Sequence, residues 1–247
     1  MRFIEAAHYG SERTHPINLI VIHTMEWAER NNTAEDCAAW FQNPASTGSA
    51  HYCVDNNSVV QCVRDENEAW GAPGVNYRAI HIEHAGYASQ TRVYWTDKYS
   101  TEMLCRSAQL AAGLCSRYSI QAKHLSNSEL SNGLSGFVGH NQCTEVFETP
   151  GGHTDPGCNF PWDIYIDLVL GYLRLQNKPI KEKSDNMVVF ISPVGHEPGD
   201  GIYAVTEQGV YPVTHNRWVI LETAGATHKQ IPRDQYNALL TEVEYDV

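Results

Sequence analysis

Branched apolar runs and helical stripes succeed one another along most of the chain, and the switches between them lay out its elements. Asn18 to Thr24 reads Asn-Leu-Ile-Val-Ile-His-Thr, a nearly continuous run of the kind found in strands buried on both faces, with His23 at its exit. Thr33 and Asp36 resemble a capping pair; Cys37, Trp40 and Phe41 then fall at i, i+3 and i+4 of a short helix that should stop near Pro44. Ser49 to Asp55 and Ser58 to Val63 predict two strands joined at Asn56-Asn57, a pair that tolerates the left-handed backbone of a tight hairpin. In the strand Ala79 to Ala85, Ile80 and Ile82 share one face while His81 and Glu83 share the other. Leu104, Ala108, Ala111, Cys115 and Tyr118 mark an amphipathic helix from about Ser100 to Tyr118. Ile164, Leu168, Tyr172 and Leu175 mark a second, from Asp163 to Leu175. Strands interleaved with covering helices predict an α/β fold, a mixed central β-sheet covered by helices.

The pattern then breaks. Residues 177–186 are polar, charged and aperiodic, which predicts a linker between a larger domain at 1–176 and a small C-terminal α+β unit at 187–247. In that unit Met187 to Ile191, Ile202 to Val205 and Val210 to Val213 read as short strands, with a turn at Glu207-Gln208-Gly209. A helix from Asn216 to Ala224, ended by Gly225, should follow.

Composition narrows the function classes. Seventeen basic against 29 acidic residues give a formal net charge of −12, which repels nucleic-acid phosphates, so nucleic acid is not an expected partner. No apolar run reaches the roughly 18 residues of a membrane span, so no membrane insertion is expected. The segment Met1 to His8, broken by Glu5, is too short for a secretory signal, so synthesis in the cytoplasm without a signal peptide is the expectation. Seven cysteines, odd in number and without a Cys-x-x-Cys pair, argue against a disulfide scaffold or a cysteine zinc finger.

The candidate chemistry is histidine-rich. A catalytic zinc site takes three protein ligands and keeps one open position. His23, His140 after Gly139, and Asp155 in His153-Thr154-Asp155-Pro156-Gly157 fit that requirement. Each alone has a plainer reading, since a strand-end histidine caps and Asp-Pro-Gly turns. Cys158 is a rival third ligand, because a thiolate suits zinc.

Together with Val21-Ile22-His23-Thr24, Ser49-Ala50-His51-Tyr52, Ile82-Glu83 and Phe160-Pro161-Trp162, these motifs resemble the zinc-dependent N-acetylmuramoyl-L-alanine amidases of the amidase-2 type, relatives of peptidoglycan recognition proteins. The resemblance spans roughly residues 15 to 175, and the His-Thr-Asp-Pro-Gly form is most similar to amidase domains of endolysins from phages of actinobacteria. It implies that Zn²⁺ is held by His23, His140 and Asp155, with Glu83 as general base. It implies peptidoglycan as substrate, and a lysin that acts on the wall after release from the cytoplasm. A non-catalytic peptidoglycan-binding protein and a cytoplasmic muropeptide-recycling amidase are the alternatives.

Several positions depart from the family pattern. Where lysine is common two residues before the zinc aspartate, this chain has His153, which would stabilise the oxyanion as a cation or as a donor. The loop that usually reads Trp-His-Ala-Gly is Trp70-Gly71-Ala72-Pro73-Gly74, and the usually small residue two before the glutamate is His81. His81 is therefore a candidate replacement for the missing loop histidine, in contact with substrate or orienting water. His51 and His84 match no ligand role and are expected to hydrogen-bond around the site. Trp70, Tyr77, Tyr87, Tyr94 and Trp95 are candidate groove-lining aromatics, and the C-terminal unit is a candidate wall-binding module.

Overall fold

The branched run that ends on His23 becomes a strand at Leu19–Thr24 in the computed structural model, with all six residues buried. The structure describes residues 1–149, 151–176, 189–193, 202–206, 209–213 and 228–231. Two compact units divide the chain, Met1–Leu173 and Arg174–Val247.

The first unit is built on a mixed six-stranded sheet of β1 (Arg2–Phe3), β2 (Leu19–Thr24), β3 (Tyr52–Val54), β4 (Val59–Gln61), β5 (Ala79–His84) and β6 (Gly136–Gly139), in the order β1-β4-β3-β5-β2-β6. β5 and β6 run parallel to β2 on its two sides, and β3 runs parallel to β5. The expected hairpin is present, β3 against β4, with Val54 opposite Val59. Its turn is tied by Asp55, whose Oδ1 accepts from the backbone of Asn57 and Ser58 while Oδ2 accepts from Ala34 at the start of the helix that precedes the hairpin. β6 was not legible beforehand, because Gly-Phe-Val-Gly is short and half glycine.

Six helices accompany the sheet: α1 (Thr33–Gln42), α2 (Arg92–Trp95), α3 (Lys98–Tyr118), α4 (Asn127–Ser131), α5 (His140–Phe147) and α6 (Trp162–Gln176). Leu19, Val21, Ala79 and Val138 lie in one cluster with Leu125, Leu130 and Cys143 of the α4–α5 region. On the other face, Phe137 meets Tyr165 of α6 edge-on at 6.1 Å, and Ser107 of α3 hydrogen-bonds Tyr165. Ile20, Ile22, Ile80 and Ile82 are fully buried, each worth about 1.5–3 kcal/mol against exposure.

Three details differ from expectation. The cap of α1 falls on Asn32; Thr33 Oγ1 instead donates to the Ala28 carbonyl and accepts from the Arg30 amide. Trp40 turns outward, 45% exposed, while Ala38 takes its place in the buried face beside Cys37 and Phe41. In α6 the buried stripe is Tyr165, Leu168, Val169 and Tyr172, so Ile164 sits at its edge. The Leu175 side chain is outside the described residues. α3 carries the expected stripe, starts on an Asp97 cap that accepts from the Ser100 amide, and ends at Ser119 in the left-handed region, φ 56°.

The second unit contains a four-stranded sheet, β10-β7-β8-β9, from β7 (Val189–Pro193), β8 (Ile202–Thr206), β9 (Gly209–Val213) and β10 (His228–Ile231). Thr206 pairs with Gly209, which belongs to β9, and the expected turn residues 207–208 lie outside the described residues. β10 was not foreseen, and the linker 177–186 and the helix 216–224 lie outside the described residues. Among the described residues no helix is long and apolar enough to cross a membrane.

Candidate metal centre and active site

Three neighbouring parallel strands deliver their carboxyl ends to one place, the position where open α/β sheets bind ligands. His23 is the fifth residue of β2, and Glu83 pairs with it in register on β5. The two side chains therefore leave the same face of the sheet, about 5 Å apart across the strands. On the other side β6 ends at Gly139, and His140 opens α5. Gln142 fixes that junction: its Oε1 accepts from the Gly139 amide and its Nε2 donates to the Leu125 carbonyl.

Asp155 arrives from the loop after α5, and its carbonyl accepts from the Asn141 amide at 2.9 Å. Glycine is required at 139 because a Cβ there would meet Pro156 Cδ at 2.6 Å and Asn141 Oδ1 at 2.4 Å. Gly157, at φ +93°, closes the turn, with no room for a Cβ against the Ala88 carbonyl.

His23, His140 and Asp155, all buried, each offer a ligand atom within 4.8 Å of the others. His23 Nδ1 lies 3.1 Å from Asp155 Oδ2 and His140 Nδ1 lies 3.3 Å from Asp155 Oδ1. Donors about 2.0–2.1 Å from one tetrahedral ion sit roughly 3.3 Å apart, so the spacing fits a zinc-sized cation. Burial opposes the Asp155 charge, but hydrogen bonds from His140 and His23 outweigh it and hold the carboxyl well below its ordinary range. Burial pushes the pKa of the His23 imidazole down, against the opposing hydrogen bond to Asp155.

Glu83 is half-buried, and its Oε2 has no hydrogen-bond partner. Burial first, and the negative charge of Asp155 second, raise its pKa well above the usual carboxylate range. It opens onto a cavity of about 470 Å³ lined by Thr24, Met25, Trp27, Cys37, Trp40 and Phe41. The outward turn of Trp40 is thus explained by a wall it contributes beside Glu83. Sequence reasoning missed Trp27 and Trp40 as cavity residues; the signal was a tryptophan shortly after His23 and a second within the helix that follows.

His153 stacks on His140, ring centroids 3.8 Å apart, with its Nδ1 3.9 Å from Asp155 Oδ1. Burial and the adjacent His140 lower its pKa below the ordinary histidine value. Cys158 is exposed and lies outside the cluster of ligand atoms. Trp95, grouped by sequence with surface aromatics, is fully buried against Phe160; Trp70, Tyr77, Tyr87 and Tyr94 are exposed.

The two other histidines of β5 surround His23. His84 Nδ1 donates to the His23 carbonyl at 3.3 Å, and its Nε2 accepts from Ser107 Oγ, which accepts in turn from Tyr165. Burial holds the pKa of His84 down at about 4, and in the neutral ring this chain of bonds uses both nitrogens. His81 is fully buried, its Nδ1 3.0 Å from His23 Nε2, so it does not contact substrate as sequence reasoning allowed. His51 Nδ1 accepts from the His81 amide.

Two imidazoles, one carboxylate and an unpartnered glutamate at strand ends form the kind of site that supports metal-assisted hydrolysis. Comparison with known proteins agrees with that class. The family described as N-acetylmuramoyl-L-alanine amidase matches residues 13–158, and the chain belongs to this family, so it is an amidase enzyme. N-acetylmuramoyl-L-alanine amidase A of Achromobacter lyticus is 28% identical over 174 residues, covering 65% of this chain and 88% of that relative. Among solved structures, the hydrolase AmiA of Staphylococcus aureus, in complex with its ligand, superposes with a TM-score of 0.55 at 15% identity over 71% of this chain and 83% of its own. An AmpD derivative gives a TM-score of 0.50 at 20% identity, over 68% and 93%. At those identities the two structures speak to the fold.

Proposed function

We propose that the chain cleaves the amide between N-acetylmuramic acid and L-alanine of peptidoglycan at a zinc centre held by His23, His140 and Asp155. The observation that carries this reading is the buried cluster of two imidazoles and one carboxylate at metal-ligand spacing, beside an unpartnered Glu83. When bound, zinc supplies Lewis-acid polarisation of the scissile carbonyl and lowers the pKa of water.

Glu83 takes the proton of the attacking water and hands it to the leaving alanine nitrogen as the C–N bond breaks. Its raised pKa, caused by burial and by Asp155, makes it a stronger base than a solvated carboxylate, and an amine leaving group is basic enough to take the proton on. His153, at the rim of the cluster, donates a hydrogen bond to the oxyanion that forms on the carbonyl. The cavity walled by Trp27 and Trp40 receives the part of the substrate adjoining the scissile bond. The endolysin role rests on the His153-Thr154-Asp155-Pro156-Gly157 form of the motif.

Metal content and turnover, measured on the same preparations, test the assignment. The chain should bind one zinc, and His23→Ala, His140→Ala and Asp155→Ala should each lose it. Glu83→Gln should keep the zinc while its rate falls by about 10²–10⁴. A Glu83→Gln protein that turns over at the parent rate would remove the general base.

A further inference from the structure

The contact between His81 and His23 has a direction that metal binding fixes. A neutral imidazole carries one proton. His23 Nδ1 is the nitrogen beside Asp155, 3.1 Å from its Oδ2, and Nε2 is the nitrogen 3.0 Å from His81 Nδ1. If the proton sits on Nδ1, it lies against Asp155 and leaves no lone pair there for a cation. If it sits on Nε2, Nδ1 is free to ligate, and His81 Nδ1 must be the bare nitrogen that accepts the bond.

We propose that His81 is a positioning residue that accepts from His23 Nε2–H, fixing His23 as an Nδ1 ligand, and that Gly71 is glycine because the His81 ring fills the space a side chain would need. The proposal rests on the zinc reading above.

Its surroundings prepare His81 for that task. The backbone N–H of His81 is held by His51 Nδ1 at 3.0 Å, and the two rings stack at 5.6 Å with 13° between their planes. His51 Nε2 lies 3.2 Å from the Asn67 carbonyl and 2.9 Å from Arg13 Nη2, so the ring is held at both nitrogens. The backbone of Gly71 also closes on the ring: a Cβ there would lie 2.6 Å from both Cγ and Nδ1 of His81. His81 is completely buried, so neither ring nor chain has room to yield. The accepting role places the proton of His81 on its Nε2, which has no partner. Orienting partners of metal-bound histidines are usually carboxylates or carbonyls; here a second imidazole takes that place.

Zinc affinity, measured on the full chain by competition with a chromophoric chelator, provides the test. His81→Leu keeps a side chain of similar bulk but removes the acceptor, and should weaken zinc about 10–100-fold. His81→Asn, whose Oδ1 reaches nearly the same point as Nδ1, should restore affinity to within roughly threefold of the parent. In the zinc-loaded parent, the imidazole NMR signals of His23 should show the proton on Nε2. Parent affinity in His81→Leu, with binding abolished in His23→Ala, would overturn the proposal and leave the triad standing; a parent chain that binds no zinc would overturn both. The packing half is tested by melting the metal-free protein. Gly71→Ala should destabilise the parent but cost much less in a His81→Ala background, and equal losses in both would refute the pairing.

Discussion

His153 stands with 43% of its side chain exposed, its ring stacked on His140 and its pKa held below 6.5 by burial and that neighbour. Read from the sequence, where relatives carry lysine, it was a candidate cation or donor. The lowered pKa favours the donor reading, because a neutral ring has no charge to lose as the pH rises from 7 to 9. The ratio of kcat/KM in the parent to that in His153→Gln should therefore stay flat from pH 7 to pH 9, and a ratio that declines across that range would restore the cation. His23, His140, Asp155 and Glu83 were legible as candidate site residues because each sits in a short motif at an element boundary. The position of His81 was legible, but its contact was not. Strand periodicity put it on the face of Glu83, while only the parallel register of β5 on β2 turns its ring onto His23 rather than toward substrate.

At the scale of elements, the site depends on turns more than on the strands behind them. The junction of β6 and α5 brings His140 against the Asp155 loop through one backbone bond, Asn141 N–H to the Asp155 carbonyl, and through the absence of a side chain at Gly139. Gly139→Ala should push Pro156 away, lower zinc affinity and cost about 1–3 kcal/mol of stability. Wild-type zinc affinity in that variant would show the turn to be dispensable. The strands β2 and β5 and the helix α3 announced themselves through long apolar patterns. β6, β1 and α4 did not, because two to five residues carry too little period to read. Trp40 misled for another reason: helical spacing assigns it to a face, but the neighbouring cavity beside Glu83 decides that it stays outside the core.

For the molecule as a whole, the buried histidines couple the site to acid stability. Burial holds His51 at about 3, with the Arg13 cation helping, and His84 at about 4. Unfolded histidine titrates near 6.5, so between pH 6.5 and about 4 the unfolded chain binds protons that the folded chain refuses. The stabilisation from neutral His51 and His84 is complete above pH 6.5 and is lost as the pH falls, on the order of 3 kcal/mol for His84 alone. The melting temperature should drop steadily from pH 7 to pH 4.5, with a shallower slope in His84→Gln; a parent curve flat over that interval would mean these rings are charged in the fold. The α/β class followed from interleaved strands and helices, whereas the parallel β10 of the second unit had no local signature to betray it.

The central claim, metal-dependent cleavage of the muramoyl–alanine amide, is tested most directly by digesting purified peptidoglycan and analysing the ends released. New L-alanine amino termini on intact glycan strands, abolished by a chelator and restored by zinc, are the predicted result. New reducing sugar ends, or amino termini released equally with and without the chelator, would contradict it.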